Sequence, residues 1–134
     1  MKIMLDTNII ISAALFPHGK AAQAFSKALS GAYEPVMCDY IVDELHRKFR
    51  EKFPERLTEL EAFLFNALQY IHLVPTPEME SEAESMIRDL KDRPILRAAI
   101  CAHVDLLLTG DKDFLESSVK TPRIIGVPEF LNMQ

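Results

Sequence analysis

The sequence is poor in the features that mark several common protein classes. It has only two cysteines among 134 residues, Cys38 and Cys101, and they form no C-x-x-C pair. Two distant cysteines indicate reduced thiols, which favours a cytoplasmic protein over a disulfide-bonded one. No apolar run is long enough to span a membrane, and no repeat or Gly/Ser-rich linker divides the chain. We therefore expect a single domain over residues 1–134.

An excess of positive charge is also missing. The formal net charge is -5, while 49% of the residues are hydrophobic and 26% are charged. This composition is typical of a folded globular protein and argues against nucleic-acid binding through a broad basic surface. The argument weakens if acidic residues hold divalent cations, since each ion adds two positive charges.

The N-terminal stretch MKIMLDTNIIISAALF has apolar residues on both sides of a polar triplet. Asp6, Thr7 and Asn8 interrupt the apolar block that a secretory signal would need, so we expect no signal peptide. Lys2–Leu5 is typical of a buried strand. Asp6 then has two open interpretations, a cap of the following helix or a metal ligand.

Short apolar runs alternate with helical patterns along the rest of the chain. Strands are predicted at Lys2–Leu5, Pro35–Cys38, Tyr70–Val74, Asp105–Thr109 and Arg123–Val127. Helices are predicted at Ala21–Leu29, from Asp39, after Pro54, around 83–90, from Pro94 and as a short turn at the C-terminus. Such alternation implies right-handed crossovers and a mostly parallel sheet covered on both faces. The predicted fold is a three-layer α/β/α domain.

Acidic residues gather where an open parallel sheet binds its ligands, beyond the carboxyl ends of the strands. The acids at these positions are Asp6, Asp43, Glu44, Asp92, Asp111 and Asp113. Each alone is explained by helix capping or by a solvated surface. Together they would repel one another unless cations lay between them. Oxygen ligands without Cys or His favour Mg²⁺ or Mn²⁺, ions that support phosphodiester hydrolysis.

Three stretches, IMLDTNIIISA, IVDEL and KDRPILRAAICAHVDLLLTGDKDFL, carry these acids over nearly the whole chain. In order and spacing they resemble the PIN-domain ribonucleases, which include the VapC-type toxins of toxin–antitoxin pairs. The resemblance implies the following functional residues: Asp6, Glu44, Asp92 and Asp111 as catalytic metal ligands, Asp113 as a fifth ligand, and Asn8 and Thr109 as supports for the acids or a bound phosphate.

Helical periodicity leaves both Asp43 and Glu44 open, and only the resemblance favours Glu44, which precedes Leu45 as in the family. Family members often begin that helix with Ser, where this chain has Cys38-Asp39. The resemblance also implies one or two Mg²⁺ or Mn²⁺ ions, a single-stranded RNA substrate, a homodimer and often a cognate antitoxin. The expected products carry a 5′-phosphate and a 3′-hydroxyl.

Basic residues are densest in the stretch Arg47, Lys48, Arg50, Lys52 and Arg56. Because Glu51 and Glu55 alternate with them, a solvated helix face is favoured over an RNA-guiding surface. Lys112, between two acids, is the better candidate for a phosphate contact.

Two further features have a structural and a functional interpretation. The four histidines show no paired spacing, so structural roles are favoured over a metal-free histidine ribonuclease, although His46 is close to Glu44 in sequence. Phe63, Phe65 and the leucines of the helix after Pro54 span more than one face. That helix is either buried on two sides or forms a dimer or antitoxin surface.

Three rival functions share parts of this pattern. A haloacid-dehalogenase-like phosphatase also has an aspartate after its first strand but requires D-x-D, where this chain has Asn8. A phosphorylated receiver domain gathers its acids around the first strand and lacks the T-G-D-x-D block. A PIN fold without activity, binding only protein or RNA, is the non-enzymatic alternative.

Overall fold

The computed structural model describes residues 1–134 and contains five strands and seven α-helices. The strands are β1 (Lys2–Leu5), β2 (Glu34–Cys38), β3 (His72–Val74), β4 (Leu106–Leu108) and β5 (Arg123–Ile125). The α-helices are α1 (Thr7–Leu15), α2 (Lys20–Ala28), α3 (Asp39–Lys52), α4 (Leu57–Ala67), α5 (Arg93–Cys101), α6 (Lys112–Leu115) and α7 (Val127–Asn132). Two 3₁₀ turns cover Pro54–Arg56 and Glu82–Met86. None of the helices has the length and apolar character needed to cross a membrane.

The five strands form one sheet in the order β3-β2-β1-β4-β5, and every neighbouring pair is parallel. The predicted α/β fold is confirmed, with a sheet that is wholly rather than mostly parallel. The chain adds β2 and β3 on one side of β1, then crosses over to add β4 and β5 on the other. Ligands of such sheets bind at this switch, beyond the carboxyl ends of β1 and β4.

The central strands lie at the middle of the hydrophobic core. All three residues of β4 and the last three of β1 are at most 1% exposed. Strands buried on both faces consist of continuous apolar runs, which is why IML and LLL were recognisable in the sequence. On one face α3 packs Ile41, Leu45 and Phe49 into the core. The turns after β1 and β4 are therefore held on a rigid frame.

Two predicted elements are corrected by the structure. The helix expected around 83–90 is wrong, because only Glu82–Met86 form a 3₁₀ turn and Ile87 is extended. Ser81 and Glu84 cap this turn reciprocally, and Arg97 of α5 binds the buried carboxylate of Glu84. These contacts fix the segment against α5 and override its helical periodicity. The last strand is shorter than expected, since Val127 already begins α7.

Helix α4 combines the two interpretations of its apolar residues. Leu60 and Leu64 are buried, and the Phe63 ring lies 5.2 Å from the Phe25 ring of α2, centroid to centroid. Phe65 is 73% exposed. The helix is therefore buried on two sides and still leaves an apolar side chain at the surface.

Candidate active site

Asp6 lies at the end of β1 and at the N-cap of α1, and it is almost completely buried. One carboxylate oxygen accepts a hydrogen bond from the Thr7 backbone N–H at 2.8 Å, so the capping interpretation holds. The other accepts from the Thr109 hydroxyl at 2.7 Å. That hydroxyl also accepts from the Asp111 backbone N–H at 3.0 Å. Thr109, at the position predicted to support the acids, thus joins the turns after β1 and β4.

Glu44 projects from α3 toward the same edge and is 5% exposed, whereas Asp43 is exposed. The Thr7 hydroxyl donates a hydrogen bond to the Glu44 carboxylate. Arg47, one turn further along α3, contacts the other Glu44 oxygen at 3.4 Å. The structure therefore directs Glu44 rather than Asp43 to the end of β1. Thr7 was not singled out in the sequence, where its place between Asp6 and Asn8 was the only signal.

Asp92 takes the N-cap position of α5, but its side chain makes no capping hydrogen bond. The residue is 8% exposed, and its Oδ2 is buried without any hydrogen-bond partner. Asp111, at the N-cap of α6, accepts from the Asp113 backbone N–H at 2.9 Å. The capping interpretation thus holds for Asp111 and fails for Asp92, whose carboxylate has a free ligand atom.

Burial and neighbouring carboxylates raise the pKa of two of these acids, Asp6 and Asp92. Burial raises the pKa of Asp6 to about 6, with contributions from the charges of Glu44 and Asp111, against the lowering hydrogen bonds from Thr109 and Thr7. Burial, followed by the hydrogen-bonding contact with Asp111 and the charge of Asp6, raises the pKa of Asp92 to about 8. Asp92 is therefore mostly protonated at neutral pH unless positive charge lies beside it.

An open cavity of about 380 Å³ lies in front of these acids, and no apolar side chain lines it. The lining residues are Asn8, Glu44, Arg47, Lys48, Glu51, Lys52, Asp89, Lys91, Asp92 and Asp111. The Lys48 ammonium donates to the Asn8 side-chain oxygen at 3.2 Å. Three residues of the basic stretch, which the sequence favoured as a solvated helix face, thus line the same cavity as the acids. Arg56 does follow that expectation, since it pairs with Glu59 at the surface.

Four predicted residues do not line this cavity, namely the buried Asp6 and Thr109, and Asp113 and Lys112. Asp113 pairs with Arg88, whose Nη2 is 2.7 Å and Nε 3.0 Å from one carboxylate oxygen. Lys112 is exposed and is not brought to the cavity. His46 contacts the Val42 carbonyl oxygen of its own helix through Nδ1, at 2.9 Å, which fits a structural role.

The fold and these acids can be compared with known proteins. A family model described as the PIN domain matches residues 2–113. The chain belongs to the PIN-domain family. The resemblance inferred from the three sequence stretches is therefore confirmed at the level of the family. A comparison with curated protein sequences found no significant match.

Solved structures share the architecture of this PIN domain at low sequence identity. A chain of the VapBC2 complex of Rickettsia felis, bound to a promoter DNA fragment, superposes with a TM-score of 0.71 at 14% identity, covering 94% of this chain and 98% of that one. A chain of the DNA-bound VapBC complex of Salmonella typhimurium gives 0.69 at 15% identity, covering 95% and 98%. These similarities extend over whole chains and establish the fold.

Proposed function

We propose that this PIN domain is a metal-dependent endoribonuclease that hydrolyses single-stranded RNA. Asp6, Glu44, Asp92 and Asp111 are its proposed catalytic and metal-binding residues. The observation that carries the proposal is the buried, unpartnered Oδ2 of Asp92 beside Asp111. An unpaired carboxylate oxygen in the interior is costly, and a cation bound there would remove that cost.

The donor set fits one or two Mg²⁺ or Mn²⁺ ions. All four proposed ligands supply carboxylate oxygens, which hard divalent ions prefer, and no cysteine or histidine lines the cavity. Positive charge between the acids would also lower the raised pKa values of Asp6 and Asp92 and let both groups ionise. When bound, such an ion activates water and stabilises charge on the phosphate.

The protein's own groups hold the ligands in place before any substrate arrives. The Thr7 hydroxyl orients Glu44, and the Thr109 hydroxyl orients Asp6. The Asp113 backbone N–H fixes Asp111. Ligands positioned in advance on rigid elements need little reorganisation during the reaction.

The cationic wall of the cavity suits a nucleic-acid backbone. Arg47, Lys48, Lys52 and Lys91 line the cavity together with the acids, and the absence of apolar lining gives no platform for base stacking. We propose that these side chains bind phosphates on either side of the scissile bond. The products are expected to carry a 5′-phosphate and a 3′-hydroxyl, whereas a 2′,3′-cyclic phosphate would indicate attack by the ribose instead.

The toxin role and the protein partners are part of the same proposal. Both similar structures are VapBC complexes, which supports a cognate antitoxin and a toxin role for this chain. An apolar depression between α2 and α4 is lined by Phe25, Leu29, Phe63, Asn66, Ala67 and Tyr70. With the exposed Phe65 nearby in sequence, this surface suits an antitoxin segment or a homodimer contact.

A monomer at micromolar concentration in light scattering would contradict the homodimer. The cytoplasmic location stays a prediction.

The proposal is tested by cleavage of a 5′-labelled single-stranded RNA with Mg²⁺, and with EDTA as the metal-free control. Asp6→Asn and Glu44→Gln are expected to lose more than the roughly ten- to hundredfold typical of residues that only support a metal ligand. Asp43→Asn is the matched control, since it removes an exposed charge beside Glu44, and we expect a change within about twofold.

Cleavage by a nuclease-free preparation of Asp6→Asn at the wild-type rate would contradict the assignment. An inactive binding module would instead show RNA affinity without cleavage in the wild-type protein.

A further inference from the structure

A second group of acids lies at the rim of the cavity, and it includes a residue that the sequence pattern did not single out. Carboxylate oxygens of Asp89, Asp92 and Asp113 lie within 4.8 Å of one another. Asp89 is exposed, and one of its oxygens accepts from the Lys91 backbone N–H at 3.0 Å. Small side-chain rotations would bring three such oxygens onto one divalent ion.

Two independent observations indicate that this group can bind a cation. The first is the Oδ2 atom of Asp92, which is buried and has no hydrogen-bond partner. The second is the guanidinium group of Arg88, which already binds an Asp113 oxygen at 2.7 and 3.0 Å. The chain thus supplies a cation of its own at one member of the cluster.

The ion pair between Arg88 and Asp113 is weak enough for a divalent ion to displace the guanidinium group. The Arg88 side chain is 78% exposed, and its only partner among the ion pairs is Asp113. Ion pairs of such exposure contribute little to stability, because water and salt screen them. A divalent ion that contacts three carboxylates would therefore compete with the guanidinium group effectively.

We propose that Asp89, Asp92 and Asp113 form an outer cation position for which Arg88 competes with a divalent ion. It adjoins the inner position of Asp6, Glu44, Asp92 and Asp111, and the inference rests on the proposed function because Asp92 is shared. At low cation concentration Arg88 holds Asp113, and cation binding releases the guanidinium group at the rim of the cavity. The outer position thereby sets how many ions the protein carries at a given concentration.

Calorimetric titration of the chelator-treated full chain with Mn²⁺ alone tests this inference without an activity assay. The wild-type protein is expected to bind two ions, and Asp89→Asn one. Arg88→Gln is expected to tighten the weaker dissociation constant by about two- to fivefold, the equivalent of an exposed ion pair. Two control variants are matched in chemistry: Glu82→Gln removes an exposed acid from the same segment, and Arg56→Gln breaks an exposed ion pair far away. Neither should change the titration.

Three results would overturn the inference, and they are distinguishable. One ion in the wild type, unaffected by Asp89→Asn and lost in Asp6→Asn, removes the outer position but leaves the proposed function. An unchanged weaker dissociation constant in Arg88→Gln removes the competition. No Mn²⁺ binding by the folded wild-type protein overturns the proposed function as well. Circular dichroism of each variant verifies that it is folded.

Discussion

Glu84 and Asp92 lie in the same segment between β3 and α5, and both are buried, being 3% and 8% exposed. Their surroundings are opposite. Glu84 binds the Arg97 guanidinium through two contacts at 2.8 and 2.9 Å and accepts from the Ser81 backbone N–H at 3.0 Å. Asp92 has an oxygen with no partner and another carboxylate as its neighbour.

The pKa values of the two acids follow from these surroundings. The hydrogen bonds from Arg97 hold the pKa of Glu84 below its ordinary value, while burial and Asp111 raise that of Asp92 to about 8. Burial alone therefore does not separate a structural carboxylate from one that we propose to bind a metal ion. The separation comes from whether the protein itself supplies the compensating charge.

The largest expected effect is the loss of stability when Glu84 loses its cationic partner. Arg97→Met should lower the free energy of unfolding by about 3–5 kcal/mol, because it leaves Glu84 buried without its cation. Arg56→Met breaks an exposed pair with Glu59 and should cost less than about 1 kcal/mol. Urea unfolding of both variants measures the difference. Equal losses of unfolding free energy in the two variants would show that the buried Glu84–Arg97 pair stabilises the fold no more than an exposed pair.

The raised and the lowered pKa values should affect the pH dependence of stability in opposite directions. Urea unfolding in the presence of a chelator measures this dependence. Asp6 and Asp92 have raised pKa values, so their contribution is fully present at low pH and is lost as pH rises toward about 6 and about 8. Glu84 has a lowered pKa, so its contribution is present above the ordinary glutamate pKa and is lost as pH falls.

Asp92→Asn tests whether the unpaired carboxylate of Asp92 destabilises the metal-free protein. The amide removes the negative charge and can donate a hydrogen bond to Asp111, so the chelated variant should gain about 1 kcal/mol at about pH 8. Glu84→Gln is the counterpart and should lose stability at the same pH. A chelated Asp92→Asn protein that is less stable than the wild type there would mean that Asp92 is a structural acid like Glu84.

The smallest expected effect concerns the cationic wall. In an Asp6→Asn background, which prevents cleavage, Lys48→Ala should weaken single-stranded RNA binding by about two- to fivefold. The slope of log affinity against log salt should fall in magnitude by about 0.7, the value for one lost phosphate contact. Arg56→Ala removes a charge of the same basic stretch that lines neither the acid cavity nor the adjoining one beside Glu44, and it should leave both unchanged. Equal weakening of RNA binding in the two variants would indicate that the basic stretch acts as a diffuse positive surface rather than through contacts in the cavity.

The fold was predictable because its central strands are continuous apolar runs between helical patterns, and these runs are buried on both faces. The meeting of Asp6, Glu44, Asp92 and Asp111 was also predictable, since the carboxyl ends of parallel strands share one edge. The choice of Glu44 over Asp43 was not contained in the helical pattern. It depended on the family resemblance, and the structure buries Glu44 beside Thr7 while leaving Asp43 exposed.

Other features depend on contacts between distant segments, which local sequence patterns do not predict. Thr7 reaches Glu44 only because α3 crosses beside the end of β1, and Arg88 reaches Asp113 across 25 positions. The segment around 83–90 has a helical pattern, but its pairing with Arg97 overrides it. Lys48 lies in an alternating-charge stretch typical of solvated helices, and only the packing of α3 directs it to the acids.

The most direct test of the central claim is the effect of Mn²⁺ on unfolding of the wild type, Asp6→Asn and Asp43→Asn. At a free Mn²⁺ concentration about a hundredfold above the dissociation constant, the wild type should gain about 2.7 kcal/mol. Asp43→Asn should gain as much, and Asp6→Asn less than half of it. An equal gain in Asp6→Asn and the wild type, or none in the wild type, would contradict a metal centre built on the acids at the end of β1.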